Sequence, residues 1–337
     1  MRKSWIALLL ALMLVLGACN QATDTQTTDP ITGGETETLS DAADTERTEA
    51  AQTEDTEAQA PEADATVYPI EVQDGLGNTV RLETEPETIV SLAPNVTEIL
   101  FALGLGDKIV GTSEFSDYPA EAADVETVGG AMGFDLERIT EMDPDLIITN
   151  GVVEGLDEAA TNAEIAVAGY YPQNMEEVQN QILQVGELAN RQVEAQGIVA
   201  NMKERTEAVV ASVEGLDKPT VFYEVWGDPL MVAGSGSFIN EIITLAGGED
   251  VAGDAEPYSN YDVEQLVAAD PDIYLINDGD PNVSQEILAG RPGYESLSAL
   301  QNDRVLTVNA DLISRPAPRL IDGLEAVADL LHPDRAN

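Results

Sequence analysis

The chain has 337 residues, with 63 acidic against 15 basic side chains and a formal net charge of −48. So negative a chain repels phosphate, which excludes nucleic acid and anionic lipid headgroups as partners. It holds a single cysteine, so no internal disulfide is possible.

Met1-Arg2-Lys3 opens the chain, an apolar run extends from Trp5 to Leu16, and Leu16-Gly17-Ala18-Cys19 follows. A charged start, a short apolar core and a small-residue cleavage site predict a signal peptide over residues 1–19, not a spanning helix. Cys19 sits where a bacterial lipobox places its acylated residue. Lipidation there is expected to anchor the chain on the outer face of a cytoplasmic membrane. Residues 20–66, dominated by Thr, Ala, Asp, Glu and Gln, predict a disordered tether extended by self-repulsion. The part after residue 66 holds 12 basic and 50 acidic residues, or −38 by itself.

Ile70–Val72 and Thr79–Leu82 flank a Gly-rich turn and predict a β-hairpin. Thr88–Leu92 predicts a strand, and Ala93-Pro94-Asn95 starts a helix directly after it, an α/β signature. Further strands are expected at Lys108–Thr112, Leu146–Thr149 and Ile165–Ala168, with a helix around Asp135–Met142. Met175–Asn190 and Gln192–Val213 are Pro-free helical runs, the second long enough to cross a whole protein. Strands resume at Thr220–Val225, Asp272–Ile276 and Arg304–Val308, with helices at Phe238–Ala246 and Pro318–Leu331. The layout predicts an N-terminal α/β lobe over 67–174, a helical linker over 175–218 and a C-terminal α/β lobe over 219–337. Ligands in such folds collect at the carboxyl ends of strands, here in the cleft between lobes.

A near-repeat ties the lobes together. Phe134-Asp135-Leu136-Glu137-Arg138-Ile139 leads into Asp143-Pro144-Asp145-Leu146, and Tyr261-Asp262-Val263-Glu264-Gln265-Leu266 leads into Asp270-Pro271-Asp272-Ile273. The offset is 127 residues throughout, too long for a short-period solenoid. Glu137 and Glu264 therefore occupy equivalent points on two lobes, a docking device suited to a two-fold symmetric partner.

His332, the one histidine, sits in Leu331-His332-Pro333 and reads as a helix C-terminal cap. With it and Cys19 so placed, no zinc site of nitrogen and sulfur ligands and no Ser-His-Asp or Cys-His catalysis is expected. Carboxylates are abundant, but no EF-hand spacing appears. Gly234-Ser235-Gly236-Ser237 lacks the lysine of a P-loop and reads as a tight strand-to-helix connection. Phe115, Tyr118, Phe134, Trp226, Tyr258 and Tyr261 follow strands or flank the repeated acidic helices, either as core or as a stack for a planar ligand. Arg315 and Arg319 are conspicuous in a chain so short of cations, as structural ion pairs or as contacts to an anionic ligand group.

Ser91-Leu92-Ala93-Pro94-Asn95-Val96-Thr97-Glu98, Phe101-Ala102-Leu103-Gly104 and Phe115-Ser116-Asp117-Tyr118-Pro119 resemble the helical-backbone metal- and chelate-binding lipoproteins of ABC importers. So do Asn240-Glu241 through Ala246-Gly247-Gly248-Glu249, both repeat segments, and Pro318-Arg319, so that roughly 86–332 is covered. Cobalamin binders are the nearer match within that group, with ferric-siderophore and haem binders as siblings.

The resemblance implies an α/β fold of two Rossmann-like lobes joined by a long rigid backbone α-helix, a class III periplasmic binding protein. It implies capture of a metal chelate, a corrinoid or a ferric siderophore, with the metal arriving inside its chelate and no cofactor of the protein's own. The permease dimer of an ABC importer, with its ATPase subunits, is the implied partner, and the protein is expected to act as a monomer. Glu137 and Glu264 fill the positions that dock onto permease arginines in that family. Candidate ligand-binding residues are Phe115, Met132, Trp226, Met231, Tyr258 and Arg315. The aromatic lining of cobalamin binders is reduced here: Ala131, Asn150 and Met231 stand at corresponding places, and only Phe115 and Tyr258 stay aromatic. A carboxylate-based surface hydrolase and a transporter-independent sensor are the alternatives.

Overall fold

Alternation within each short strand decides which side of a sheet each residue covers. The computed structural model describes residues 65–335, so the expected signal peptide, Cys19 and nearly all of the tether lie outside the described residues. The first lobe opens with β1 (Ile70–Gln73) and β2 (Thr79–Leu82), an antiparallel hairpin with Ile70 opposite Leu82. Next comes β3 (Ile89–Ser91), then α1 (Pro94–Ala102), which has proline in its first turn, where a missing N–H costs nothing. β4 (Ile109–Thr112) is followed by a two-strand ribbon, β5 (Gly129–Gly130) and β6 (Gly133–Phe134), that the sequence pattern does not announce. α2 (Leu136–Glu141), β7 (Leu146–Asn150), α3 (Leu156–Ala163) and β8 (Ala166–Tyr170) complete the lobe.

Two helices then cross over, α4 (Met175–Leu188) and α5 (Gln192–Val213). At 1.5 Å per residue the 22 residues of α5 span about 33 Å. Its buried residues Ala195, Val199, Met202, Val209 and Val213 fall at spacings of three, four and seven residues, a stripe on one face. That stripe packs against α4, α6 and α11, and Arg205 on its flank bridges Asp322 and Glu325 of α11.

The second lobe runs β9 (Thr220–Tyr223), β10 (Trp226–Gly227), β11 (Leu230–Val232), α6 (Phe238–Leu245), β12 (Glu249–Asp250), β13 (Ser259–Asn260), α7 (Val263–Ala269) and β14 (Ile273–Asn277). α8 (Gln285–Ala289), α9 (Ser298–Gln301), β15 (Val305–Val308), α10 (Ala310–Ser314) and α11 (Leu320–Leu331) follow. The strand expected over Thr220–Val225 stops at Tyr223, because Glu224 turns inward to an arginine and the chain reverses into the β10–β11 hairpin. The last helix starts at Leu320, with Pro318 and Arg319 in the preceding turn.

The two parallel sheets have the same topology: β4-β3-β7-β8 in the first lobe and β12-β9-β14-β15 in the second. Each is covered on both faces, as parallel sheets require. Ile89, Leu146, Val221 and Leu275 face a core shared with α1, α4, α5, α6 and α11. Their neighbours Val90 and Ile147 face a second core with Ile139 and Leu156, and Phe222 and Tyr274 face a third with Leu266 and Leu288. This architecture is two Rossmann-like α/β lobes joined by a long backbone helix.

The near-repeat superposes onto this plan. Asp135 caps α2 through Arg138 N, and Asp262 caps α7 through Glu264 N. Asp143 and Asp270 both adopt left-handed backbone, with φ of 48° and 43°. Asp145 then accepts from Thr88 N and Oγ1 just before β3, and Asp272 accepts from Thr220 N and Oγ1 at the start of β9.

Candidate functional site: the cleft between the lobes

The carboxyl ends of the two sheets are brought together by charge. Glu98 lies in α1, which follows β3, and its side chain is only 3% exposed. It meets two arginines of the other lobe that flank the α10–α11 turn. Arg319 grips it with two bonds, Nε to Oε2 at 2.8 Å and Nη2 to Oε1 at 2.6 Å. Arg315 Nη1 reaches Glu98 Oε1 at 3.3 Å and Asp117 Oδ1 at 2.7 Å, while its Nη2 meets Asp311 at 2.9 Å. Arg319 also lies 3.7 Å over the ring of Tyr118, which follows β4. Burial pushes the Asp117 carboxyl up, but the hydrogen bond and charge of Arg315 outweigh it and hold the group below the usual carboxylate range.

Two antiparallel devices flank this junction. In the first lobe the β5–β6 ribbon carries Met132 at its tip, 89% exposed, and Glu114 pins the ribbon through Ala131 N at 2.8 Å. Phe115, next to Glu114 in the loop after β4, is half-buried. In the second lobe β10, β11 and β13 form a small sheet in which Trp226 stands opposite Met231 and Met231 opposite Asn260. Directly opposed residues share a face, so these three side chains make one surface.

A buried ion pair supports that surface. Glu224, two residues before Trp226, is held by Arg291 at 2.6 and 3.0 Å and by the Tyr274 hydroxyl at 2.6 Å. Gly227 packs directly on the pair; a Cβ there would collide with both the Arg291 guanidinium and the Glu224 carboxylate. Tyr258 just precedes β13 with φ of 49°, an uncommon conformation for a bulky residue and a form of strain that concentrates at functional sites. It is half-exposed, and its phenol is raised above the ordinary value first by burial and then by Tyr171 of the other lobe. The Tyr223 phenol is raised too, by burial and by Tyr258, Asp280, Glu224 and Asp311 in turn.

Phe115, Met132, Trp226, Met231 and Tyr258 therefore all sit on loops or small ribbons beyond the carboxyl ends of the strands. Arg315 is there also, engaged by three carboxylates. Glu137 and Glu264 are exposed, each at the second residue of its helix, on different lobes. Ser237 caps α6 through Asn240 N, so the Gly234–Ser237 segment is a strand-to-helix connection. His332 caps the end of α11 and its Nε2 lies 3.3 Å from Gly247 O. Two surface depressions of about 480 and 500 Å³ lie beside the edge strand β4 and where α5 meets the ends of α1 and α11. The second is lined in part by Arg319, but neither takes in Phe115, Met132, Trp226, Met231, Tyr258 or Arg315, and ligands of open α/β sheets bind beyond the strands' carboxyl ends, so the cleft is the candidate site.

Residues 89–312 match the family model described as "Periplasmic binding protein". The chain belongs to that family. Over 280 residues it is 31% identical to the "Uncharacterized ABC transporter substrate-binding lipoprotein YvrC" of Bacillus subtilis, covering 80% of this chain and 87% of that one. It is 30% identical to a "Vitamin B12-binding protein" of Vibrio parahaemolyticus, covering 75% and 92%. The crystal structure of periplasmic vitamin B12 binding protein BtuF of Vibrio cholerae aligns with a TM-score of 0.63 at 28% identity, over 75% of this chain and all but 1% of that one. The family and these relatives are named for binding, and the hydrolase alternative finds no support among them.

In this periplasmic binding protein, sequence reasoning missed Glu98, Glu224, Arg291, Tyr171 and Tyr223 at the cleft. Glu98 carried a signal: the one charged residue of the lobe's first helix, opposite in charge to the two conspicuous arginines. Glu224 and Arg291, 67 residues apart, carried none.

Proposed function

We propose that this protein is an extracytoplasmic solute-binding lipoprotein of an ABC importer. It captures a metal chelate, a corrinoid or a ferric siderophore, between its lobes and delivers it to the permease. The single observation that carries the reading is the pair of topologically identical lobes whose carboxyl ends meet across the Glu98–Arg315–Arg319 bridge. Supporting it are the names of the relatives, which include vitamin B12-binding proteins.

In this reading Phe115, Met132, Trp226, Met231 and Tyr258 face the chelate, and the metal needs no protein ligand. Among the described residues no cluster of His, Cys, Asp and Glu could hold a bare ion. Arg315 positions the two lobes and leaves chelate contact to its neighbours. The backbone helix and the bridge restrict closure to a small rocking of the lobes. Lipidated Cys19 anchors the protein, and it works as a monomer.

Glu137 and Glu264 dock onto the permease in this scheme. Each is exposed at a helix start and, among the described residues, forms no ion pair, so a two-fold partner meets the same acidic helix start twice. Equilibrium dialysis of the purified full chain against cyanocobalamin and ferric chelates, read by their own absorbance, tests the capture step. One-to-one saturation at about 1 μM or tighter is expected for one of them. Saturation by none of the chelates overturns the reading. Glu137→Lys with Glu264→Lys is expected to leave that affinity intact and abolish uptake by cells; loss of affinity in the double variant would sink the docking role.

A further inference from the structure

We propose that the cleft selects its chelate by charge, admitting chelates of zero or positive net charge and rejecting anionic ones. This rests on the chelate reading and narrows it. The described residues include 12 lysines and arginines, of which Arg291, Arg315 and Arg319 lie at the carboxyl ends of the strands. All three are engaged: Arg291 by Glu224, Arg319 by Glu98, and Arg315 by Glu98, Asp117 and Asp311. Among the described residues, those with no carboxylate within 4 Å are Lys203, Lys218 and Arg304. Lys218 just precedes β9 and Arg304 just precedes β15, at the amino ends of the sheet and away from the cleft. Lys203 is an exposed residue of α5.

The balance at the junction is negative before any ligand arrives. Glu98, Asp117 and Asp311 face two guanidiniums, Arg315 and Arg319, which leaves one uncompensated carboxylate. Asp278 and Asp280 follow β14 directly and add two more, Asp280 lying near the Tyr223 phenol. Glu114, beside Phe115, is a further carboxylate there, while the hydroxyls of Tyr171, Tyr223 and Tyr258 and the amide of Asn150, which meets Asn95 at 3.5 Å, are neutral. An anionic chelate loses hydration on entering and finds there only guanidiniums whose charge is already met by carboxylates. It would also face like charge, which discriminates strongly between partners. A neutral corrinoid or a neutral or cationic hydroxamate presents amide oxygens to the tyrosine hydroxyls and apolar surface to Trp226 and Met231. It pays no such penalty.

The test uses the full chain and two chelate scaffolds, each in cationic, neutral and anionic forms. One is a ferric trihydroxamate bearing a free amine, an acetylated amine or a succinylated amine. The other is a corrinoid as the aquo cation, the neutral cyano form and a side-chain carboxylic acid. Equilibrium dialysis at low salt gives the dissociation constants. On the scaffold that binds, the anionic form is expected to be about tenfold or more weaker than the neutral form. The gap is expected to shrink as salt is raised, by screening. Asp117→Asn, which releases part of Arg315, narrows it as well. An anionic form that binds as tightly as its neutral counterpart overturns the charge rule and leaves the chelate reading standing. Failure of all six compounds to bind overturns the chelate reading, and the charge rule with it.

Discussion

The two lobes repeat one frame and differ in how the first strand of each sheet reaches its first helix. Strand order, the aspartate cap, the exposed glutamate and the Asp–Thr clamp recur in both. In the first lobe only Leu92 and Ala93 separate β3 from α1, and the junction is tied by hydroxyls: Thr97 Oγ1 lies 2.8 to 3.0 Å from Ser91, Thr112 and Ser116. In the second lobe the β10–β11 hairpin intervenes between β9 and α6, and the junction is tied by charge, through Glu224, Arg291 and Tyr274. The difference teaches a division of labour. What both lobes must do alike, frame a sheet and present an acidic helix start, is copied. What one lobe alone supplies, the Trp226–Met231 surface, arrives as an insertion with its own buried support.

The sharpest way to break this contrast is Glu224→Ala. It strands a largely buried guanidinium and a buried phenol, at an expected cost of about 3–5 kcal/mol. Urea unfolding measures the loss, and hydrogen exchange should confine it to the second lobe. A cost below about 1 kcal/mol, the scale of an exposed pair, would deny the hairpin its charged support. Glu98→Ala comes next, at about 3 kcal/mol, because Arg315 keeps Asp117 and Asp311 while Arg319 loses the one carboxylate it pairs with among the described residues. Here the exchange protection of both lobes is expected to fall together at the α1 and α10–α11 surfaces. Loss confined to one lobe would contradict a bridge between them.

Much of the frame was legible because it is local. Pro94 after β3, the glycine turn of the β1–β2 hairpin and the apolar stripe of α5 each write their element into a few adjacent residues. The 127-residue repeat placed Glu137 and Glu264 on matched helices for the same reason. The cleft was less legible because its geometry is set across the chain. Arg315 is held by Glu98, 217 residues away, and nothing near Arg315 names that partner. The small strands that carry Met132 and Trp226 are two residues long, too short to show a period of two. Tyr171 and Tyr223 read as strand-end residues and become cleft groups only once two lobes close on each other.

The copied frame itself is tested by a matched pair of smaller changes. Thr88→Val and Thr220→Val each remove a hydroxyl that donates to the carboxylate of the aspartate after the Asp-Pro turn and accepts from its backbone N–H, leaving the carboxylate's bond from the threonine N–H in place. Each is expected to cost about 1 kcal/mol. Near-equal losses support equivalence of the lobes, whereas a twofold difference would show that one clamp has taken on more than framing.

The smallest expected effect lies at Asp117, the exposed end of the bridge. Its carboxyl is held below the ordinary value in the folded protein, so its contribution to stability is complete above the usual carboxylate range and is lost as pH falls through the depressed value. Because the side chain is 66% exposed, solvent screening limits that contribution to about 0.5 kcal/mol. Asp117→Asn should therefore lower stability slightly at neutral pH and leave it equal to the parent only in acid below the depressed value, where the parent group is protonated as well. Calorimetric unfolding of both proteins across that range checks the sign. A deficit that persists in acid would mean that Asp117 acts through packing at the lobe junction and that its charge is incidental. The electrostatic bridge would then rest on Glu98 alone, the one carboxylate that both arginines share.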